Sequence, residues 1–190
     1  MMRTVDIAVK IFIWIASIGV ITHMEEPKDL YDSFIQGEIP AYYSTGDRNI
    51  ISKPPAYYED LEIFLDCCEI GDRMDLDNDG EDELIIKDMC GGMYLDVRDE
   101  KVYVLAENYG MVGFLDYANF DGKTYIVHSD TMHEGRENYF FTLYDGNGKI
   151  VDSFELNKEY YDGSEVTCTY RGEEISEEEF EKLRQKMLGW

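Results

Sequence analysis

The feature that most constrains the fold is a series of short turn signals that recurs along the chain from Met74 onward. Runs rich in β-branched and aromatic residues separate these signals, which is typical of antiparallel strands joined by hairpins. Asp-Gly and related pairs favour tight hairpins because their residues tolerate the left-handed backbone that such turns need. The pattern predicts an antiparallel β-meander with turns at Asp79-Gly80, Gly91-Gly92, Asp99-Glu100, Asp121-Gly122, Asp145-Gly146-Asn147-Gly148, Asp162-Gly163 and Arg171-Gly172.

The runs between the turns define the predicted strands. Each is short and carries the residue types that fit a pleated, half-buried surface. The predicted strands are Glu83–Lys87, Met93–Arg98, Val102–Ala106, Met111–Tyr117, Thr124–Ser129, Tyr139–Tyr144, Ile150–Glu155 and Glu165–Arg171.

Helical patterns flank the meander. Apolar residues at helical spacing predict short helices over Pro27–Gly37 and Tyr57–Cys67, with a loop over Ala41–Ala56 between them. Ser176 followed by Glu179 forms a capping-box pattern and predicts a C-terminal helix through Leu188. The predicted fold class is α+β, with an N-terminal anchor helix, short helices, the antiparallel β-meander and a C-terminal helix.

Residues 1–24 differ from the rest of the chain. Ile11–Ile21 is an uncharged apolar run that follows Arg3 and Lys10, which is typical of a signal peptide or a signal-anchor. Used as an anchor, the segment would cross the membrane through residues 5–22, with its basic end inside the cell. Residues 25–190 are then a single extracytoplasmic domain, tethered to the cell membrane or secreted after cleavage. The alternative is a buried hydrophobic helix of the domain.

Acidic residues dominate the composition. The chain has 41 Asp and Glu against 17 Lys and Arg, a net charge of −24. This acid excess argues against nucleic-acid binding, which needs basic side chains to neutralise phosphates. Disorder is not implied, since 44% of the residues are hydrophobic and can form a core.

Four cysteines lie in the predicted extracytoplasmic domain: Cys67, Cys68, Cys90 and Cys168. An oxidising compartment permits disulfides, and a bond between adjacent Cys67 and Cys68 is sterically disfavoured. Cys90 paired with either of these two is one possibility, and four buried thiols are the other. The sequence leaves both open.

One segment carries a chemical signature, the acidic stretch Asp75–Leu84 with the pattern D-x-D-x-D-G-x-x-E-L. Carboxylates at alternate positions converge on one point if the chain coils around it, and Gly80 permits the sharp turn. The backbone carbonyl of Glu81 and the carboxylate of Glu83 extend this oxygen shell, which suits Ca²⁺ better than Mg²⁺. The expected ligands are Asp75, Asp77, Asp79, Glu81 and Glu83.

The acidic stretch continues directly into the apolar run Leu84-Ile85-Ile86. An EF-hand needs a bidentate Glu at position twelve of its loop, and that position here is Ile86, so the loop is not an EF-hand. The combination resembles the calcium loop of FG-GAP and VCBS-type repeats, which occur in extracellular proteins. The resemblance implies the same five ligand residues and a Ca²⁺ cofactor. Three stretches, Leu30–Ile39, the acidic loop and Ile175–Phe180, also resemble exported proteins and lipoproteins of Gram-positive anaerobes.

Weaker candidates lie elsewhere in the sequence. His128, Asp130 and His133 are close enough in sequence to suggest a transition-metal site. The tyrosine pairs could offer flat faces for stacking against sugars, and these pairs are Tyr42-Tyr43, Tyr57-Tyr58 and Tyr160-Tyr161.

The leading hypothesis is a membrane-tethered Ca²⁺-binding domain with a structural ion and a non-enzymatic cell-surface or interaction role. No Gly-x-Ser-x-Gly, His-Glu-x-x-His or phosphate-loop motif supports an enzyme. Two alternatives remain: an extracytoplasmic hydrolase of glycans or peptides with structural calcium, and an acidic inhibitor or immunity-type protein. A protein or glycan ligand fits the leading hypothesis.

Overall fold

The computed structural model of the protein describes residues 29–43, 51–52, 68–88, 92–108, 113–161 and 165–190. This part of the chain is predominantly β. Two helices are described, α1 (Leu30–Ile35) and α2 (Glu177–Leu188). The strands are β1 (Ala41–Tyr43), β2 (Ile51–Ser52), β3 (Glu69–Met74), β4 (Glu83–Lys87), β5 (Met93–Arg98), β6 (Lys101–Glu107), β7 (Phe114–Phe120), β8 (Lys123–Asp130), β9 (Arg136–Tyr144), β10 (Ile150–Glu159), β11 (Thr167–Tyr170) and β12 (Glu173–Ile175).

The strands form two six-stranded sheets. The first sheet has the order β2-β1-β6-β5-β4-β3, and the second has the order β12-β11-β10-β9-β8-β7. Strands that follow one another within β3–β6 and within β7–β12 are antiparallel neighbours. The predicted meander is therefore confirmed, and it is divided into two sheets between β6 and β7.

Local turn chemistry explains several of these hairpins. At the β7–β8 turn, Asp121 and Gly122 both have positive φ, +50° and +76°. Two successive left-handed residues form the turn whose twist matches that of antiparallel strands. At the C-terminal helix, the Ser176 side chain accepts a hydrogen bond from the Glu179 backbone N–H at 3.2 Å. The predicted N-cap is thus present.

Two strands lie in the segment Ala41–Ala56, which the sequence predicts to be a loop, so that prediction was wrong at 41–43 and 51–52. Strand β1 pairs in parallel with β6, with Ala41 opposite Val102. The pairing follows from the edge of the sheet, since β6 has β5 on one side only and its other backbone groups need partners. Strand β3 was also missed, because its residues are mostly exposed and lack an apolar alternation.

Three apolar clusters hold these elements together. One lies between α1 and the first sheet, and another lies between α2 and the second sheet. The third joins the facing sides of the two sheets, with Ile85 and Tyr94 from the first sheet and Leu115 and Ile126 from the second. Leu76, from the acidic stretch, is fully buried in this third cluster.

Some predictions fall on parts of the chain outside this description. The N-terminal segment 1–24 and the second short helix over Tyr57–Cys67 are among them, as are Cys67 and Cys90. None of the described helices is both long and apolar enough to cross a membrane. Cys168 is described, and its thiol is buried in the cluster beneath α2.

Candidate metal centre

The acidic stretch forms the connection between β3 and β4, residues 75–82, and its first carboxylate organises the loop. One Asp75 oxygen accepts hydrogen bonds from the backbone N–H groups of Asn78 and Asp79, at 2.7 and 3.2 Å, and the other accepts from Gly80 at 3.2 Å. Gly80 has φ +92°, a conformation that glycine adopts without strain. The loop therefore coils back over Asp75, as the spacing predicts.

Asp77 lies inside this coil and is completely buried. Neither of its carboxylate oxygens has a hydrogen-bond partner. A buried carboxylate without a partner is strongly unfavourable, so such groups bind a cation, pair with a base or take up a proton. The Asp77 carboxylate thus has lone pairs inside the protein that are available to bind a cation.

Glu83, the first residue of β4, reaches back under the same loop. It is 1% exposed. Its Oε2 accepts hydrogen bonds from the backbone N–H groups of Leu76 and Asp77, at 2.5 and 3.2 Å. These two bonds fix the Glu83 carboxylate beside Asp77.

Three of the five predicted ligand residues are brought together. One oxygen each from Asp75, Asp77 and Glu83 lies within 4.8 Å of the others, and no other such group of at least three His, Cys, Asp or Glu side chains occurs in the described residues. Asp79 and Glu81 are exposed and are not members of this group. The Asp79 carboxylate instead accepts a hydrogen bond from the Glu81 backbone N–H at 2.7 Å.

Burial and crowding of like charges raise the pKa values of the two buried carboxyls. The pKa of Asp77 rises to about 7, chiefly through burial and then through the charges of Asp79 and Asp96. The pKa of Glu83 rises to about 8, again chiefly through burial, although its backbone hydrogen bonds oppose the change. Both shifts express the cost of holding these charges together without a cation.

A further acid, Asp96 on β5, adjoins this centre. Leu84 pairs with Leu95 across β4 and β5, so the next position of this antiparallel ladder places Glu83 opposite Asp96. Asp96 is 2% exposed. Sequence reasoning missed it because the register between the strands is not local, and the available signal was one acid within the otherwise apolar run Met93–Val97.

The loop also contacts the second sheet. The Asn78 side chain donates a hydrogen bond to the Thr124 backbone carbonyl at 3.0 Å and accepts one from its N–H at 2.8 Å. Asn78 has φ +68°, and this left-handed conformation is one that Asn tolerates better than most residues. Gly146, in the β9–β10 turn, lies so close to Asp79 that a Cβ atom there would be 2.4 Å from the Cβ of Asp79. The loop thus bridges the two sheets.

The weaker candidates do not form comparable sites. His128 Nε2 lies 3.2 Å from the Glu107 carbonyl, whereas His133 Nδ1 lies 2.7 Å from Asp130. Of the tyrosine pairs, Tyr42 packs against Tyr103 in the first sheet, and Tyr160 and Tyr161 follow β10 of the second sheet. The described tyrosine pairs therefore lie apart, one in β1 of the first sheet and the other just after β10 of the second.

Comparisons with known proteins assign this chain to no family. No family model matches the chain, and neither a curated protein nor a solved structure matches it significantly. The resemblance to FG-GAP and VCBS-type calcium loops therefore stays a prediction from the loop pattern.

Proposed function

We propose that this chain is an extracytoplasmic, membrane-tethered α+β domain that binds Ca²⁺ as a structural ion and has a non-enzymatic cell-surface or interaction role. One observation carries the metal site: Asp77 is fully buried and both of its carboxylate oxygens lack a hydrogen-bond partner. A cation between Asp77, Asp75 and Glu83 would satisfy these oxygens and offset the repulsion among the three carboxylates.

The donor set favours calcium. The grouped side chains offer oxygen only, which suits hard cations rather than zinc or copper. The loop backbone beyond Gly80 can add carbonyl oxygens, and the exposed side of the loop at Asp79 admits water. A shell of mixed carboxylate, carbonyl and water oxygens is one that Ca²⁺ accepts readily, whereas Mg²⁺ demands a stricter octahedron.

A structural role for the ion follows from its surroundings. The residues that would hold it belong to a loop whose Leu76 lies in the cluster between the sheets and whose Asn78 binds Thr124 of the second sheet. Fixing this loop therefore fixes the packing of one sheet on the other. The buried position of Asp77 and Glu83 also leaves little room for a substrate to reach the ion.

Calorimetric titration and thermal unfolding test the proposal. The chain should release or absorb heat on binding Ca²⁺, bind Mg²⁺ more weakly, and melt at a higher temperature in Ca²⁺ than in EDTA. Linkage gives a stabilisation of about 2.7 kcal/mol at a free Ca²⁺ concentration 100 times Kd. No binding heat and an unchanged melting temperature would refute a structural ion.

Matched variants assign the site. Asp77→Asn removes one carboxylate of the centre and should abolish the Ca²⁺-dependent stabilisation. Asp121→Asn removes the same charge from an exposed hairpin turn and should leave that stabilisation unchanged. An equal loss in both variants would indicate a general charge effect instead of a site.

The proposed membrane tether is the segment 1–24, in which Arg3 and Lys10 precede the apolar run Ile11–Ile21. Alkaline phosphatase is active only after export, so its fusion after Trp190 reports the location of the folded domain. We expect an active fusion in cells and loss of activity when residues 1–24 are removed. An inactive fusion of the full chain would contradict the extracytoplasmic location.

A further inference from the structure

A buried ion pair lies next to the proposed Ca²⁺ centre and takes no part in the loop pattern. Asp96 and Arg98, two residues apart on β5, are joined through Asp96 Oδ2 and Arg98 Nε. Their side chains are only 3% and 16% exposed. A pair this buried interacts with nearby charges more strongly than a surface pair does.

The pair has a fixed place in the sheet. Asp96 is opposite Tyr103 in β6 on one side and, by the β4–β5 register, opposite Glu83 on the other. The Arg98 guanidinium stacks on the Tyr103 ring, 4.3 Å from its centroid. Side chains opposite one another across strands lie about 5 Å apart at Cβ, so two carboxylates, Glu83 and Asp96, face one another here.

The charges of Asp96 and Arg98 change the pKa values of the proposed ligand carboxyls in opposite directions. The charge of Asp96 raises the pKa values of Asp77 and Glu83, whereas the charge of Arg98 lowers the pKa of Asp77. Asp96 adds negative potential to the centre, and Arg98 supplies an internal positive charge that partly cancels it.

On the basis of the proposed Ca²⁺ site, we infer that the Asp96–Arg98 pair sets the affinity of this centre for Ca²⁺. Asp96 is a positioning residue that lies beside Glu83 and increases the attraction for the ion. Arg98 holds the Asp96 carboxylate through Nε and opposes the ion electrostatically. Removal of the two charges should therefore change Ca²⁺ affinity in opposite directions.

Two single variants and their combination test this inference by calorimetric titration with Ca²⁺ at fixed ionic strength. Asp96→Asn should raise Kd by about tenfold or more, the size typical of residues that support metal ligands. Arg98→Gln should lower Kd severalfold. The double variant should lie between the two single variants, with a non-additive term that reports their direct contact.

The second sheet provides a matched control. Arg171, in the turn between β11 and β12, pairs with Asp152 at 2.9 Å and stacks on the Phe154 ring, 4.1 Å from its centroid. It thus makes the same two kinds of contact as Arg98, at a more exposed place far from the acidic loop in the sequence. Arg171→Gln changes the net charge of the chain by the same amount as Arg98→Gln. It should leave the Kd for Ca²⁺ unchanged.

The outcomes are separable. If the unchanged protein binds no Ca²⁺, the proposed function and this inference both fail. If it binds Ca²⁺ but Arg98→Gln leaves Kd unchanged or raises it, the inference alone is refuted. Should Asp96→Asn fail to fold by circular dichroism, Arg98→Gln decides, because its predicted tightening is opposite to the effect of general damage.

Discussion

In the absence of a divalent ion, the stability of this domain should fall as pH rises from 5 to 8. The perturbation is removal of Ca²⁺ with EDTA followed by a change of pH. The pKa of Asp77 in the folded chain is about 7, against 3.8 for an ordinary Asp. The folded chain therefore keeps a proton that the unfolded chain releases, and each pH unit within this window lowers the free energy of unfolding.

The magnitude follows from this difference in proton binding. One proton bound only by the folded state changes stability by about 1.4 kcal/mol per pH unit. Because Asp77 is already half deprotonated at pH 7, it lowers the free energy of unfolding by about 2 kcal/mol between pH 5 and 7. Glu83 acts in the same direction, and its pKa of about 8 extends the loss to higher pH. Against a total stability of about 5–15 kcal/mol, this change is large.

Urea unfolding at pH 5, 6, 7 and 8 measures the effect, with EDTA in one series and saturating Ca²⁺ in the other. The ion takes the place of the protons, so the decline should disappear in Ca²⁺. Asp77→Asn in EDTA should show a shallower decline than the unchanged chain, which separates this group from general repulsion among acids. A free energy of unfolding in EDTA that is constant or rises with pH would refute the reasoning.

Two further predictions concern the contacts between the loop and the second sheet. Asn78→Ala removes both hydrogen bonds to the Thr124 backbone and puts a less tolerant residue at positive φ. Urea unfolding in Ca²⁺ should show a free energy of unfolding lower by about 2–3 kcal/mol. A loss below about 0.5 kcal/mol would mean that the contact between Asn78 and Thr124 does not stabilise the packing of the loop on the second sheet. Gly146→Ala places a Cβ atom 2.4 Å from the Asp79 Cβ and should weaken Ca²⁺ binding in a calorimetric titration. Gly122→Ala strains its own turn, where φ is +76°, but its Cβ meets no atom within 4 Å, so Ca²⁺ affinity should stay unchanged. If Gly146→Ala leaves Ca²⁺ affinity equally unchanged, the acidic loop does not depend on its contact with the β9–β10 turn.

Local patterns in the sequence anticipated much of the β structure and the end of the chain. The predicted strands Glu83–Lys87 and Met93–Arg98 coincide with β4 and β5. The predicted N-cap at Ser176 is present. These features depend on turn residues, apolar runs and caps within a few positions of one another, so they can be read along the chain. Strand β1 was missed because its pairing with β6 joins residues about sixty positions apart, as Ala41 and Val102 show.

The candidate metal centre also combines local features that the sequence predicts with burial that it does not. The spacing of the acids predicted that they converge if the loop coils around one point. The coil is held by a local interaction, since Asp75 accepts hydrogen bonds from N–H groups three to five positions later. Only the tertiary structure decided which acids become buried. Asp77 and Glu83 do so because Leu76 packs between the two sheets, whereas Asp79 stays exposed.

By itself, the sequence determined the order of hairpins, the acidic loop and its oxygen-rich chemistry, and the cap of the C-terminal helix. Tertiary structure decided the division of the meander into two sheets, the approach of Asp96 to Glu83, and the contact of Asn78 with Thr124. The physical reason is distance along the chain. Turns and caps are specified by neighbouring residues, whereas strand register and sheet packing are specified by the burial of apolar side chains that are far apart in the sequence.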